Sequence, residues 1–397
     1  MKNHVIIILF LSVLISLTFF KTHAGSTEAP NGRILKFGIH VSAMGKLDPH
    51  LAAGSQDRAF ADMVFNGLLR YKPGNSPKIE PDLAQKIPEF KLFRGKQIWT
   101  IHLRRGVMFH AGPKTPAYEL TADDVVFSLN KSKNKEFSAY SGEYVDMNIK
   151  KTGPYEVQII LDKAVSSILF FPKITNYGGG FIVSQKAMET MGYDAFTKHP
   201  VGTGPFAFQN YDKKGHLSLK AHHRYFRGRP LLDGIQIHFI PDVNDRLEVL
   251  KNGGLDVITG SGKKGWPDSI KDEKNLIIDT HGVGEVATLY LNTKMKPLDD
   301  IRVRQAIAFS LSRQSFLSTI SSKISGSVYS PVPDQFLPGG LSREDVLALN
   351  LEYFQDLDKS RQLLKEAGFP NGFTLDVVSS EKWIYQTYYN ALKKQLA

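Results

Sequence analysis

The chain has 397 residues, 42% of them hydrophobic, with a formal net charge of +11 at pH 7 and no cysteine. Because single hydrophobic cores usually stop growing at ~250–300 residues, this length excludes one simple core and predicts two or more lobes. The missing cysteine excludes disulfide bonds and a lipid carried on an N-terminal cysteine, so the fold depends on burial of apolar surface.

Residues 1–24 are predicted to be a cleaved secretory signal peptide. Lys2 and His4 precede an apolar run over residues 5–20, and Ala24 ends a Thr-His-Ala stretch with small residues at the positions that signal peptidase reads. A membrane anchor is the alternative, but the run is shorter than the ~20 apolar residues of a spanning helix and is broken by Ser and Thr. We therefore expect the rest of the chain to be a soluble periplasmic protein.

The positive charge has three interpretations, which are nucleic-acid binding, attraction to an anionic membrane and the general charge of a basic exported protein. Lysine and arginine are scattered, with no run longer than pairs such as Lys150-Lys151. A secretory signal also argues against a nucleic-acid partner. We therefore interpret the charge as a general property of the exported chain.

Strands and helices are predicted to alternate along the chain. Alternating apolar and polar residues predict strands over residues 97–104, 156–162 and 234–240. Helices are predicted to begin at Thr121 and Asp299, where a capping residue and acidic side chains precede an apolar stripe, and a further helix is predicted over residues 358–367. This order is typical of mixed α/β lobes.

The stretch HPVGTGPF at residues 199–206 is predicted to be a rigid turn. Gly202 and Gly204 permit backbone angles that other residues avoid, and Pro205 fixes one more. A strand is predicted to start at Phe206 and to pair with residues 217–219 as a hairpin.

Ten segments in fixed order resemble one family, the family 5 extracellular solute-binding proteins of ABC importers. They are LDPH (47–50), FNGLLR (65–70), IEPDLA (79–84), LRRGVMFH (103–110), LTADDVVFS (120–128), HPVGTGPF (199–206), YFRG (225–228), LNTK (291–294), PLDDIRVRQAI (297–307) and AGFPNG (367–372). Each motif alone is weak, but their order spans nearly the whole chain after the signal.

The resemblance implies an α/β, two-lobed fold of the type II periplasmic-binding-protein class, similar to cluster C, with an extra subdomain on the first lobe. Lobe I is expected over residues 25–52 and 156–282, the extra subdomain over 53–155, and lobe II over 283–397. A strand over residues 288–292 is expected just past the hinge.

The resemblance also implies that lobe II is incomplete. Family members continue past the helix that corresponds to residues 388–396, whereas this sequence stops without a capping signal. We therefore expect a truncated or partial sequence, and the residues that commonly bind the two ends of a peptide cannot be assigned.

The function implied is a periplasmic receptor that captures peptides in the cleft between its lobes and delivers them to an inner-membrane ABC permease complex. The expected protein is a monomer without catalysis, cofactor, metal or nucleic acid. The family's cleft position suggests the following ligand contacts: Val41, Ser42, Ala43, Tyr177, Gly178, Trp266, Tyr290 and Asn292.

Other interpretations remain open at this point. The ligand could be another solute, such as a nickel chelate or an opine, and the chain could serve in sensing or as a chaperone. A serine hydrolase using Ser128 and Lys131 is the alternative from a different class, since SLNK matches the SxxK motif and KTG follows at residues 151–153.

Two further motifs are weak. The stretch GSGKKG at residues 260–265 matches GxGxxG, but Trp266-Pro267 is expected to interrupt the helix that a dinucleotide site needs. His216, His222 and His223 lie close in sequence, but a strand would direct adjacent histidines to opposite faces, which argues against a metal site.

Overall fold

The computed structural model describes residues 32–74, 78–212, 215–280, 286–334, 339–379 and 383–397. The signal peptide predicted for residues 1–24 lies outside these ranges. Within them, no helix combines the length and the apolar character that crossing a bilayer would require.

The described residues form short strands and helices throughout. The strands are β1 (Ile34–Ile39), β2 (Asn66–Gly67), β3 (Leu69–Tyr71), β4 (Ile79–Pro81), β5 (Glu89–Phe93), β6 (Lys96–His102), β7 (Met147–Gly153), β8 (Glu156–Leu161), β9 (Phe181–Ile182), β10 (Phe206–Tyr211), β11 (His216–Ala221), β12 (Gly234–Phe239) and β13 (Val257–Ile258). The helices are α1 (Ser55–Val64), α2 (Ala122–Lys133), α3 (Ser141–Tyr144), α4 (Ser167–Phe170), α5 (Gln185–Met191), α6 (Tyr193–Phe196), α7 (Val243–Lys251), α8 (Trp266–Ser269), α9 (Ile301–Ser310), α10 (Arg313–Leu317), α11 (Arg343–Ala348), α12 (Leu357–Glu366) and α13 (Trp383–Leu396).

The predicted helix starts are confirmed to within about a residue. Thr121 caps α2, and its backbone N–H donates to the Asp124 carboxylate at 3.0 Å, which completes a capping box. Asp300 caps α9 by accepting from Arg302 N–H at 2.8 Å. The helix α12 ends just before Gly368, which adopts φ +91° as a C-terminal glycine commonly does.

A five-stranded sheet has the order β10-β11-β12-β1-β13. The predicted hairpin is confirmed, because β10 pairs antiparallel with β11 and Phe208 lies opposite Leu219. β1 lies parallel to both β12 and β13, although it precedes them by about two hundred residues in the chain. The N-terminal strand is therefore built into a sheet whose other members all follow the second sheet in sequence.

The second sheet is antiparallel, with the order β5-β6-β8-β7. Trp99 of β6 is buried at its centre and stacks on Phe170 with ring centroids 4.3 Å apart. β8 pairs with β6 and β7, so this sheet extends across the boundary expected between residues 155 and 156. The strand Glu156–Leu161 thus shares a sheet with the segment expected to form the extra subdomain.

The later part of the chain packs α9 against α12. Leu298, Val303 and Ile307 are buried there, and Leu364 and Phe369 pack against them. The strand expected over residues 288–292 is a wrong prediction, because the structure has no strand in this segment and Tyr290 is 88% exposed. An extended segment forms a strand only where a neighbouring strand takes its hydrogen bonds, and this segment pairs with none of the described strands.

Candidate functional site

Four parallel strands end at one edge of the five-stranded sheet, which we call the carboxyl edge. β12, β1 and β13 are mutually parallel, and β10 runs the same way because β11 is antiparallel to both of its neighbours. The segments that follow β1 and β13 therefore leave the sheet side by side. Ligands of open α/β sheets bind outside the carboxyl ends of the strands, so this edge is the candidate site.

The segment after β1 is held by Tyr211, the last residue of β10. The Tyr211 hydroxyl accepts a hydrogen bond from Met44 N–H at 2.7 Å and donates one to the Met44 carbonyl at 3.2 Å. Met44 is buried, whereas Val41 is half-buried and Ser42 and Ala43 are exposed. The predicted contact residues 41–43 thus lie in an accessible segment, which the Tyr211 hydrogen bonds to Met44 fix at its end.

A buried arginine joins two of the strand ends. Arg246 of α7 is 2% exposed, and its guanidinium donates to the carbonyls of Ile240 and Pro241 after β12 and of Thr259 after β13. Burial lowers the pKa of Arg246, yet a guanidinium stays protonated in proteins. Hydrogen bonds from a charged donor to several carbonyls hold both segments in register at the carboxyl edge.

Trp266 lies at the end of the loop after β13. Its ring packs on Gly260, where a Cβ would lie 2.7 Å from the ring. The side chain is half-buried, and its indole nitrogen has no hydrogen-bond partner among the described residues. The nitrogen itself is buried, so the part of Trp266 that remains accessible at the edge belongs to the rest of the side chain.

The expectation that Trp266-Pro267 would prevent a helix is corrected. The one-turn helix α8 begins at Trp266 directly after Gly265, whose φ is +84°. Proline is tolerated here because the first turn of a helix needs no internal N–H donor. The helix has only four residues.

The same loop contacts the later part of the chain. Lys263 and Ile320 form an isolated β-bridge, and Ser321 N–H donates to the Gly262 carbonyl at 3.3 Å. In α8, which follows this loop, the Asp268 carboxylate lies 3.1 Å from Lys323 Nζ. The loop after β13 is thus the element of the carboxyl edge that touches the part expected to form the second lobe.

Tyr177 and Gly178 lie near the start of α1 and follow none of the strands that end at the carboxyl edge. The Tyr177 ring is 42% exposed and lies 5.0 Å from the Arg58 guanidinium. Gly178 is buried with φ +53°, and a Cβ there would lie 2.9 Å from the Tyr140 ring. Tyr177 therefore offers an aromatic face, whereas Gly178 has a packing role that any larger residue would disturb.

Tyr290 and Asn292 lie in the extended segment of the later part. Tyr290 is almost fully exposed, and the Asn292 side chain accepts from Lys294 N–H at 3.1 Å. Neither residue is buried against the carboxyl edge. Of the predicted contacts, the structure brings residues 41–43 and Trp266 to one sheet edge, and it places the other four elsewhere.

Ser128 and Lys131 have structural partners. Ser128 is buried, donates to the Asp124 carbonyl at 2.6 Å and accepts from Val183 N–H at 2.9 Å. Lys131 Nζ lies 2.7 Å from the Asp48 carboxylate and donates to the Phe137 carbonyl. A hydrolase would need the amine directed at the serine hydroxyl, whereas here each group is engaged by other atoms.

The histidines of the metal hypothesis do not gather around one point. His216 stacks on His238 with ring centroids 5.4 Å apart, whereas His222 lies edge-on to His110 at 4.7 Å. His223 is exposed. Among the residues that the structure describes, no group of three potential ligands converges.

The described residues include a surface cavity whose lining contains none of the loops of the carboxyl edge. It has a volume of about 610 Å³ and lies along α6, where Tyr193 and Lys198 are among its lining residues. None of the predicted contact residues lines it.

Comparison with known proteins places these observations in a family. Residues 78–397 match the model of the bacterial extracellular solute-binding proteins, family 5 Middle. The chain is 29% identical to heme-binding protein A of Haemophilus influenzae over 343 residues, which is 81% of this chain and 60% of that protein. It is 27% identical to the dipeptide-binding protein of Escherichia coli K12 over 334 residues, which is 79% of this chain and 59% of that protein.

The chain spans about 60% of the length of these curated relatives. Its fold matches the solute-binding protein MoaA of A. tumefaciens R10, solved in complex with mannopinic acid, with a TM-score of 0.72 and 30% identity. That match covers 92% of this chain and 71% of MoaA. The predicted α/β fold of the type II periplasmic-binding-protein class is thereby confirmed, and so is the family resemblance. The chain belongs to family 5 of the bacterial extracellular solute-binding proteins.

Proposed function

We propose that this chain belongs to a receptor that captures peptides outside the cytoplasm and delivers them to an ABC permease in the inner membrane. The observation that carries the proposal is the family match over residues 78–397. The family consists of solute-binding proteins rather than enzymes, and one relative over most of this chain is a dipeptide-binding protein.

The carboxyl edge supplies groups suited to a peptide. The exposed backbone at Ser42 and Ala43 can hydrogen-bond an extended peptide main chain, which gives affinity without selecting side chains. Trp266 adds a half-buried apolar ring. We propose Val41, Ser42, Ala43 and Trp266 as the principal contacts, with Tyr177 and Gly178 as further contacts from the same lobe. Tyr290 and Asn292 would reach the ligand from the second lobe on closure.

Closure of two lobes on the ligand is the proposed mechanism. The loop after β13 contacts residues 320 and 321 of the later part. A movement of this loop when ligand binds would therefore displace residues 320–323. A ligand that contacts both parts favours the closed form by the difference in its affinity for the two states. We propose a periplasmic location, a monomeric receptor and lobe boundaries near residues 52 and 283. We propose that the boundary expected near residue 155 lies after β8, because β8 pairs with β6 and β7.

A second candidate ligand class comes from the names of the other relatives. The chain is 29% identical to a heme-binding protein and 30% identical to a protein solved with mannopinic acid. Both identities slightly exceed the 27% shared with the dipeptide-binding protein. A heme, an opine or a nickel chelate would use the same edge through its carboxylates or its apolar surface.

A thermal-shift panel distinguishes these classes. Dialanine, trialanine, pentaalanine, hemin, mannopinic acid and nickel with histidine are each added at about a hundredfold over an expected micromolar Kd. A ligand that binds only the folded state adds ~2.7 kcal/mol to the free energy of unfolding at this ratio, which raises the melting temperature of a 397-residue chain by about 3 °C. We expect the shift with at least one alanine peptide. A shift with hemin or mannopinic acid alone would replace peptides by that ligand, and no shift with any compound would contradict the receptor proposal.

A further inference from the structure

An exposed apolar surface lies at the end of the β5–β6 hairpin, which we call the hairpin patch. It consists of Phe90, Leu92 and Phe93 of β5 with Ile168 and Leu169 of α4, and these side chains are 43%, 65%, 58%, 60% and 64% exposed. Single exposed apolar residues are ordinary, but neighbouring ones on two elements mark an interaction surface.

The two halves of the patch are joined through β6. Phe90 lies opposite Trp99 in the sheet, and the Trp99 ring contacts both Phe90 and Phe170, the last residue of α4. Further along β6, the Gln97 side chain donates to the Val165 carbonyl and accepts from Val165 N–H, just before α4. Phe90 and Leu92 thus point to the side of the sheet on which Trp99 contacts α4, whereas Phe93 points to the other side at the end of the hairpin.

Cations surround the patch. Lys91 lies within β5, Arg94 forms the hairpin turn, and Lys163 lies beyond the end of β8, and all three are exposed. The Arg94 guanidinium lies 5.2 Å from the Phe93 ring, so charge and apolar surface are adjacent at the tip. Lys96 adds a fourth cation, paired with the Asp162 carboxylate at 2.8 Å.

We propose that the hairpin patch binds the surface of an anionic phospholipid bilayer. Apolar side chains bury themselves at the boundary of headgroups and acyl chains, and flanking lysine and arginine bind the anionic headgroups. This combination occurs at the tip of a hairpin, where Leu92 and Phe93 can enter the headgroup layer while the sheet stays outside. Membrane contact would hold a diffusing receptor close to its permease, whatever solute it carries.

A second copy of the chain is the competing occupant, since β5 is an edge strand. Antiparallel pairing of two copies about the centre of β5 would set Lys91 opposite Lys91, and like charges directly opposite destabilise a strand pair. A lysine in an edge strand is a common device against such pairing. The charges therefore favour the bilayer over self-association.

Vesicle flotation tests the proposal. The exported protein is mixed at low salt with vesicles of phosphatidylcholine and phosphatidylglycerol in a 3:1 ratio, or of phosphatidylcholine alone. We expect binding to the anionic vesicles that falls at least tenfold in the double variant Leu92→Gln, Phe93→Ser, and about fivefold or more in Lys91→Glu. Binding should also fall strongly in 0.5 M salt, because the cations contribute by attraction that salt screens.

The control is Leu231→Gln, which changes a residue that is 79% exposed outside the patch and should leave binding unchanged. All proteins are prepared identically, so any contribution of residues 5–20 is the same in each. Equal flotation of the double variant and the wild type would overturn the proposal, as would no flotation with anionic vesicles. A dimer that dissociates in the double variant, without vesicle binding, would assign the patch to a second copy instead.

Discussion

Two buried histidines are held neutral by their surroundings. His50 is fully buried, its Nε2–H donates to the Phe181 carbonyl at 2.8 Å, and Nδ1 accepts from Lys131 at 3.1 Å. Burial and the Lys131 charge lower the pKa of His50 to about 3. Burial likewise lowers the pKa of His110 to about 3, although its Nε2–H donates to the Gly204 carbonyl. Both rings act as hydrogen-bonding members of the buried framework.

The pH dependence of stability follows from these pKa values. A histidine in the unfolded chain has a pKa near 6.5. Below that pH the unfolded chain therefore binds protons at His50 and His110, whereas the two rings stay unprotonated in the folded state. Each ring therefore lowers the free energy of unfolding by ~1.4 kcal/mol per pH unit between about pH 6.5 and pH 3, and stability falls as pH falls. For His110→Gln we expect a loss of stability between pH 7.0 and 5.5 that is about 1 kcal/mol smaller than for the wild type, measured by urea unfolding.

Because carboxylates titrate identically in the wild type and the variant, the difference between the two isolates the histidine. The exposed His223, changed to Gln, is the matched control and should reproduce the wild-type decrease. A decrease in His110→Gln equal to that of the wild type would show that the His110 ring is protonated without penalty in the folded state.

At the scale of elements, the backbone of the stretch 199–206 packs directly against the backbone at the end of α1, an arrangement that we call the clasp. A Cβ on Gly202 would lie 2.1 Å from the Val64 carbonyl oxygen, and one on Gly204 would lie 2.5 Å from the Val64 carbonyl carbon. Between them, Thr203 donates to the Asn66 side chain at 3.0 Å. The glycines are therefore required by close approach of two backbones, since neither has a positive φ.

Alanine at position 202 should be strongly destabilising. The clashing atom belongs to the backbone of Val64, which cannot rotate away as a side chain can, so α1 and the turn must separate. We expect Gly202→Ala to lower the free energy of unfolding by about 3 kcal/mol or more in urea titration. Gly45→Ala, where no atom lies within 4 Å of the added Cβ, is the control and should change stability by less than about 0.5 kcal/mol. Similar stability of the two variants would refute the clasp.

Elements with local signals were predictable from the sequence. The start of α2 follows from Thr121 and its acidic first turn, and the hairpin β10–β11 follows from its alternation and turn residues. The strand over residues 288–292 was expected from the family resemblance, and the segment forms none, because pairing depends on a partner strand. Local signals therefore predicted the helix starts and the hairpin, whereas the position transferred from the family did not predict this strand.

At the scale of the whole molecule, the family motifs predicted the fold. The residues that hold the loops of the carboxyl edge in place could not be predicted from the sequence. Tyr211 and Arg246 belong to no motif that signals binding, and only the parallel arrangement of distant strands brings them to the carboxyl edge. The burial of Arg246 could not be predicted from the sequence, because its three partners are backbone carbonyls, which every residue has. The location of residues 41–43 and of Trp266 at this edge follows from the strands that precede them, and their contact with ligand stays a prediction.

Peptide capture at the carboxyl edge is tested most directly by calorimetric titration with trialanine, using the wild type, Trp266→Ala and the control Leu231→Gln. We predict saturable binding to one site in the wild type and the control, with a negative heat-capacity change from buried apolar surface. Trp266→Ala should bind at least tenfold more weakly, a loss of ~1.4 kcal/mol or more, while its circular dichroism stays unchanged. The same affinity in Trp266→Ala and the wild type, or no saturable heat with the wild type, would contradict peptide binding at this edge.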